Sequence, residues 1–201
     1  MTIELLKAGI DWWGNKPRWD KDFLNSFYTR LYTTRPDKLN DEWWGTTVDD
    51  LSRWRATRPK SNAEITQKGL DRLTQINTIY SAIRNRFKSE PTIVDLQWSD
   101  IAPLFDIMNE IKNGQSPVLP SKLGHLLLPR VFVVIDNEAT GVYPYQFLWR
   151  MMKNEWDKCE DKDAQIQTLS AAILQQAAKI TSDYPFETKI PELWLIGYKS
   201  R

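Results

Sequence analysis

Residues 116–141 hold the chain's only histidine, His125, together with Ser121, Lys122, Asp136, Asn137 and Glu138. Polar residues that interrupt a stretch otherwise apolar enough for a core cost free energy unless they are paired or used. Three chemistries can be drawn from them. Ser121, His125 and Asp136 are the residue types of a Ser-His-Asp triad. The sequence has no Gly-x-Ser-x-Gly elbow around Ser121, and that serine is better used as a helix N-cap. His125, Asp136 and Glu138 offer one imidazole and two carboxylates to a divalent ion, although nothing in their spacing demands a metal. Lys122 with Asp136 is the third set. A lysine near a helix N-terminus feels the positive end of the dipole, and burial lowers its pKa further. Such an amine can form a Schiff base, with the aspartate orienting it or stabilising a developing cation. The same residues also have a reading without chemistry. In it Ser121 caps a helix, Lys122 is solvated and His125 hydrogen-bonds inside the core. Asp136 and Asn137 then cap the helix that begins near Tyr143, or close a turn before it.

The elements that must position these side chains are mostly helices. Phe23, Leu24, Phe27, Tyr28, Leu31 and Tyr32 form an aromatic stripe at helical spacing over residues 20–33. Residues 34–60 read as irregular and proline-bounded, with a short helix from Thr47 to Ala56. Ser61 and Glu64 form a capping box. The helix that follows carries Leu70, Leu73, Ile76, Tyr80, Ile83 and Phe87 at steps of three or four and is expected to run to about Lys88. A helix from Ser99 or Asp100 carries Ile101, Leu104, Phe105, Met108 and Ile111 inward and ends at Asn113-Gly114. A short one from Ser121 stops before Pro129. Residues 131–135 are the one strong β-type run. A lone run cannot form a sheet, so it reads either as an extended buried segment between helices or as the partner of a short strand in the apolar tail at 190–196, which is expected to dock back on the body. Residues 143–156 read as a helix burying Phe147, Leu148, Met151, Met152 and Trp156. Residues 163–180 read as another, with Ile166, Leu169, Ile173, Leu174 and Ala177 inward. The resulting fold class is mainly α: one helical domain of five or six helices with at most a two-stranded β element. A Trp-rich segment, 1–60, is expected to pack on a body formed by 61–201.

Composition narrows the functions. At 201 residues with a net charge of +1, the chain has no global field to recruit nucleic acid or an anionic membrane. One cysteine, Cys159, excludes an internal disulfide and a multi-cysteine zinc site. Eight scattered glycines form no phosphate loop, and nothing calls for a cofactor. No signal peptide or apolar run of about 20 residues is present, so the cytoplasm is the expected compartment and no membrane partner is expected. Ten tryptophans, six of them before position 60, are the compositional oddity. They read first as anchors for the N-terminal segment. Lys16, Arg18, Arg53, Arg55 and Arg58 interleave with Trp19 and Trp54, which also allows a stacking surface for bases or sugars.

Ser121-Lys122-Leu123, then Leu126-Leu127-Leu128, then Phe132-Val133-Val134-Ile135-Asp136-Asn137 resembles the core of the helix-hairpin-helix DNA glycosylases. In that family a lysine begins a helix and an apolar segment leads to a catalytic aspartate. It also resembles segments of uncharacterised bacterial proteins with Ser-Lys, histidine, proline and aspartate in this order, which adds no function. The glycosylase resemblance implies a mainly helical fold and a DNA partner. It makes Lys122 the amine nucleophile and Asp136 the support of the glycosidic-bond transition state, with an extruded base as substrate. Ser121, His125 and Asn137 would bind beside them, and Trp19, Arg53, Trp54 and Arg55 would line the strand. Two features depart from the family: Lys122 and Asp136 stand only fourteen positions apart, and Val118-Leu119-Pro120-Ser121 replaces the hairpin glycines. The competing expectation is a non-enzymatic protein whose aromatic surface binds a protein partner or a second copy of itself, tryptophan and arginine being the usual anchors of such interfaces.

Overall fold

The computed structural model describes residues 1–15, 25–112, 116–141, 143–175, 177 and 179–201. Among them are ten α-helices: α1 (Ile3–Gly14), α2 (Asn25–Thr34), α3 (Asp41–Arg53), α4 (Asn62–Leu70), α5 (Leu73–Arg84), α6 (Trp98–Glu110), α7 (Val118–Leu127), α8 (Tyr145–Asp157), α9 (Lys162–Leu174) and α10 (Phe186–Lys199). A 3-10 turn, Ile93–Asp95, precedes α6. No strand occurs among the described residues. The expected count of five or six helices is therefore too low, and the two-stranded element set as the upper limit of β structure does not form among the described residues.

Four places account for the difference, the first being α1, over residues where the sequence reading has no helix. The stretch 34–60, read as irregular with a short helix from Thr47 to Ala56, holds a helix that begins six residues earlier, α3. Asn40 caps it by accepting from the Trp43 N–H at 2.8 Å, and Asp41 and Glu42 sit at the positive end of its dipole. The long helix expected from Ser61 to Lys88 is two. Its start is as read, with the Ser61–Glu64 capping box formed. It breaks after Leu70, where the Trp44 indole donates to the Thr66 carbonyl at 2.9 Å. A Cβ on Gly69 would lie 1.8 Å from that indole ring, so only glycine admits it. The tail at 190–196 docks on the body, but inside helix α10. Pro191 is the sixth residue of α10 and removes only one of its backbone donors.

The helices enclose one continuous apolar core that takes in Leu6, Trp44, Tyr80, Leu104, Phe132, Trp149 and Leu193. Helix α1 lies along α10, and α3 packs on α4 and α7. The α1–α10 crossing depends on two glycines: a Cβ on Gly197 would meet the Leu5 carbonyl oxygen at 1.9 Å, and one on Gly9 the Leu193 oxygen at 1.9 Å. Gly197→Ala should force the helices apart and destabilise the fold by about 1–3 kcal/mol in urea unfolding. Gly45 lies within α3 with nothing near the same position, so Gly45→Ala should instead stabilise by up to about 1 kcal/mol. Equal effects from the two substitutions would contradict the close crossing.

Candidate functional site

The β-type run at 131–135 is buried at every position, yet it has no partner strand. A buried carbonyl left without a donor is costly, and here donors come from all over the chain. Arg35 Nη1 donates to the Leu127 carbonyl. The Val131 and Phe132 N–H groups donate to Leu128 O, both at 3.0 Å. Thr188 Oγ1 donates to Pro129 O at 2.6 Å, and the Ile93 N–H to Arg130 O at 2.7 Å. Trp149 Nε1 donates to Val131 O at 2.9 Å, and the Tyr145 hydroxyl to Val133 O at 2.7 Å. His125 Nδ1 takes Phe132 O at 2.7 Å. Every carbonyl from 127 to 133 is therefore satisfied, five of the seven by side chains.

This arrangement explains His125. A carbonyl can only accept, so Nδ1 carries the proton. Nε2 is then the acceptor, taking the Tyr28 hydroxyl at 2.9 Å. Both ring nitrogens are used, and the ring is fully buried. Burial pushes its pKa down to about 3, helped by the charge of Lys189 and opposed by the bond to Phe132. A neutral, doubly bonded imidazole is neither a general base for Ser121 nor a metal ligand. Among the described residues no group of three His, Cys, Asp or Glu side chains could hold a metal ion.

Ser121 is not an N-cap. Helix α7 begins three residues earlier, after Pro117, so Ser121 lies inside it. Its Oγ donates to Val118 O at 3.0 Å and accepts from the Ile135 N–H at 3.2 Å. It is one more tie to the central segment, not a nucleophile paired with His125.

Lys122 and Asp136 do meet: Nζ lies 2.9 Å from Oδ2. Lys122 is not the solvated lysine of the chemistry-free reading, being only 4% exposed. Its ammonium also donates to Trp54 O at 2.8 Å and stands 5.7 Å from the Trp54 ring centroid. That carbonyl belongs to the C-cap of α3, the negative end of a helix dipole. Lys112 Nζ reaches Ala56 O beside it at 2.6 Å. The other Asp136 oxygen accepts from the Glu138 N–H at 3.0 Å and the Ala139 N–H at 3.3 Å, closing the turn before α8. Burial raises the Asp136 pKa, but the charge and hydrogen bond of Lys122 and the two backbone donors outweigh it, and the net shift is downward. The pair is thus an ammonium and a carboxylate, each with several ligands, joining the end of α3 to α7 and the 136–141 turn.

The other expected site residues divide. Trp54 belongs to the cluster, its ring 6.1 Å from that of His125. Asn137 is exposed on the turn. Arg53 and Arg55 are exposed and form no hydrogen bond or ion pair with Lys122 or Asp136; Arg53 instead faces Asp50 at 3.6 Å. Arg55 has φ +57°, and its N–H and that of Ala56 bond back to Ser52 O and Leu51 O, a Schellman closure of α3. Arg55→Gly should relieve that conformation and stabilise the fold by about 1 kcal/mol, as read by urea unfolding. A loss of stability would mean that the arginine side chain has a role the backbone does not show. Trp19 lies outside the described residues. Of the nine described tryptophans, Trp13, Trp43, Trp44, Trp149 and Trp156 are buried and Trp12, Trp54, Trp98 and Trp194 are half-buried.

Sequence reasoning missed Tyr28, Tyr145 and Trp149 as donors, and a second buried pair, Lys189 with Glu192 at 2.9 Å, whose ammonium stands 5.5 Å from the Trp13 ring centroid. Tyr145 and Trp149 stand four apart on α8, and a buried indole or phenol needs a polar partner. That was the available signal. It also missed an open surface. Phe147, expected on the buried side of α8, is 58% exposed. It borders a cleft of about 610 Å³ lined by Pro144, Gln146, Phe147, Arg150, Met151, Asn154, Glu155 and Lys158. No described helix is long and apolar enough to cross a membrane.

Compared with protein-family models, with curated proteins and with solved structures, the chain gives no match.

Proposed function

We propose that this chain is a non-enzymatic binding protein that meets a protein partner through the outer face of α8. The observation that carries this reading is the exposure of Phe147 beside the cleft along that helix. A large apolar side chain left in water next to a concave surface gains free energy when a partner covers it. The Lys122–His125–Asp136 region is the weaker candidate, because its polar groups already serve the central segment and the end of α3. Selection of displayed peptides on the folded chain tests the proposal. Enriched sequences should bind the wild type and lose about ten-fold or more in affinity on Phe147→Asp, with helicity unchanged by circular dichroism. Peptides indifferent to that substitution, or no enrichment at all, would sink it.

The 2.9 Å approach of Lys122 to Asp136 favours a second reading, glycosylase-like chemistry on DNA. For Lys122 to attack a sugar carbon it must leave Trp54 O and Asp136 and give up a proton. Borohydride trapping on duplexes with damaged or abasic sites is the test. A covalent adduct that disappears in Lys122→Ala would displace the binding reading. The binding reading expects none.

A further inference from the structure

We infer that the α8 face takes a short amphipathic helix from a partner protein, apolar along its seam and acidic on its flanks. This deepens the proposal above and rests on it. Phe147, Met151, Asn154 and Lys158 all line the cleft and step by four, three and four. That is the alternation of a helix–helix seam, in which two helices lie nearly parallel and side chains of one enter gaps of the other. Phe147 and Met151 supply the apolar half, and methionine adapts its shape to a partner. The other half is cationic. Arg150 flanks the seam and Lys158 ends it, and neither makes an ion pair among the described residues. The one carboxylate in the lining, Glu155, is occupied by the N-terminal ammonium at 3.3 Å. Lys153 is turned inward to the Ile93 and Val94 carbonyls at 3.1 and 2.6 Å. The face therefore offers an apolar anchor point and two cations without an ion pair among the described residues, about 12 Å apart along the helix axis, with the exposed Asp157 and Glu160 beside Lys158.

A helical occupant fits better than an extended one. Strand addition needs an open sheet edge, and the described residues contain no strand. On a partner helix, carboxylates seven or eight residues apart span the distance between Arg150 and Lys158.

Fluorescence anisotropy with three labelled synthetic helices of about 18 residues tests this. All share a leucine seam at the same spacing and differ in having Glu, Gln or Lys on the flanks. The Glu helix should bind the full chain about ten-fold more tightly than the Gln helix, and the Lys helix least. Arg150→Glu with Lys158→Glu, both exposed positions, should reverse that order. Affinity independent of flank charge, an order unchanged by the double reversal, or no binding by any helix would overturn the inference. An oligo-dT strand that displaces the Glu helix would overturn it in favour of nucleic acid. If flank charge does not matter but Phe147→Asp still abolishes binding, the acidic helix fails while the broader protein-binding reading stands.

Discussion

Lys122→Met should destabilise the fold by about 3 kcal/mol, because it leaves the Asp136 carboxylate without its counter-charge. Methionine keeps much of the apolar stem, so the loss reports on the ammonium rather than on packing. Asp136 is partly exposed and keeps its two backbone donors, which places the effect at the lower end for a broken buried pair. Asp136→Asn retains an oxygen for those donors, and combining it with Lys122→Met should recover part of the loss, with a coupling of about 1–3 kcal/mol. Urea unfolding of the four proteins measures this directly. If Lys122→Met is within about 0.5 kcal/mol of wild type, the ammonium is not a structural clamp, and its availability for chemistry becomes the better explanation of its position.

Acid should weaken the protein well above the range in which carboxylates titrate. His125 is held neutral in the fold, its pKa pushed down to about 3 by burial, and returns to about 6.5 on unfolding. Between those values the unfolded chain binds a proton that the folded one refuses. Stability is therefore complete above the unfolded value and falls with pH, at about 1.4 kcal/mol per pH unit. From pH 6.5 to 5 the loss is roughly 2 kcal/mol, a large part of a typical domain's total. The chain has one histidine, so this upper window belongs to His125. Below it Asp136, whose folded pKa is lowered, adds a second loss as pH falls through its folded value. Urea midpoints at a series of pH values give the slope, and imidazole NMR gives the site. A native-state imidazole that titrates near pH 6.5 would refute the account. His125→Gln, which can still donate to one neighbour and accept from the other, should flatten the upper window.

The sequence was most legible where a local rule decides structure. The Ser61–Glu64 box starts α4 as expected, and the region that holds His125, Lys122 and Asp136 is indeed where polar groups enter the core. Its wiring was not legible, since partners such as Tyr28 and Trp54 come from distant segments. The run of apolar residues from 61 to 88 keeps its helical period straight through the break at Asp71–Arg72, so periodicity alone could not reveal it. The residues 131–135 have strand propensity but lack the neighbour that a strand needs. Phe147 was misplaced because apolar character marks the core only on average.

The side-chain donors around 127–133 have a consequence for how the protein fails. Val131-Phe132-Val133-Val134-Ile135 is uncharged, β-branched at four of its five positions and free of proline and glycine, the composition of segments that stack into cross-β fibrils. In the native state Trp149, Tyr145 and His125 occupy the carbonyls that another copy of the chain would otherwise bond. These helices are thus sentries as well as scaffolding: loosening α7 or α8 would release a sticky filament-former, so loss of fold would be seen as precipitate before it is seen as soluble unfolded chain.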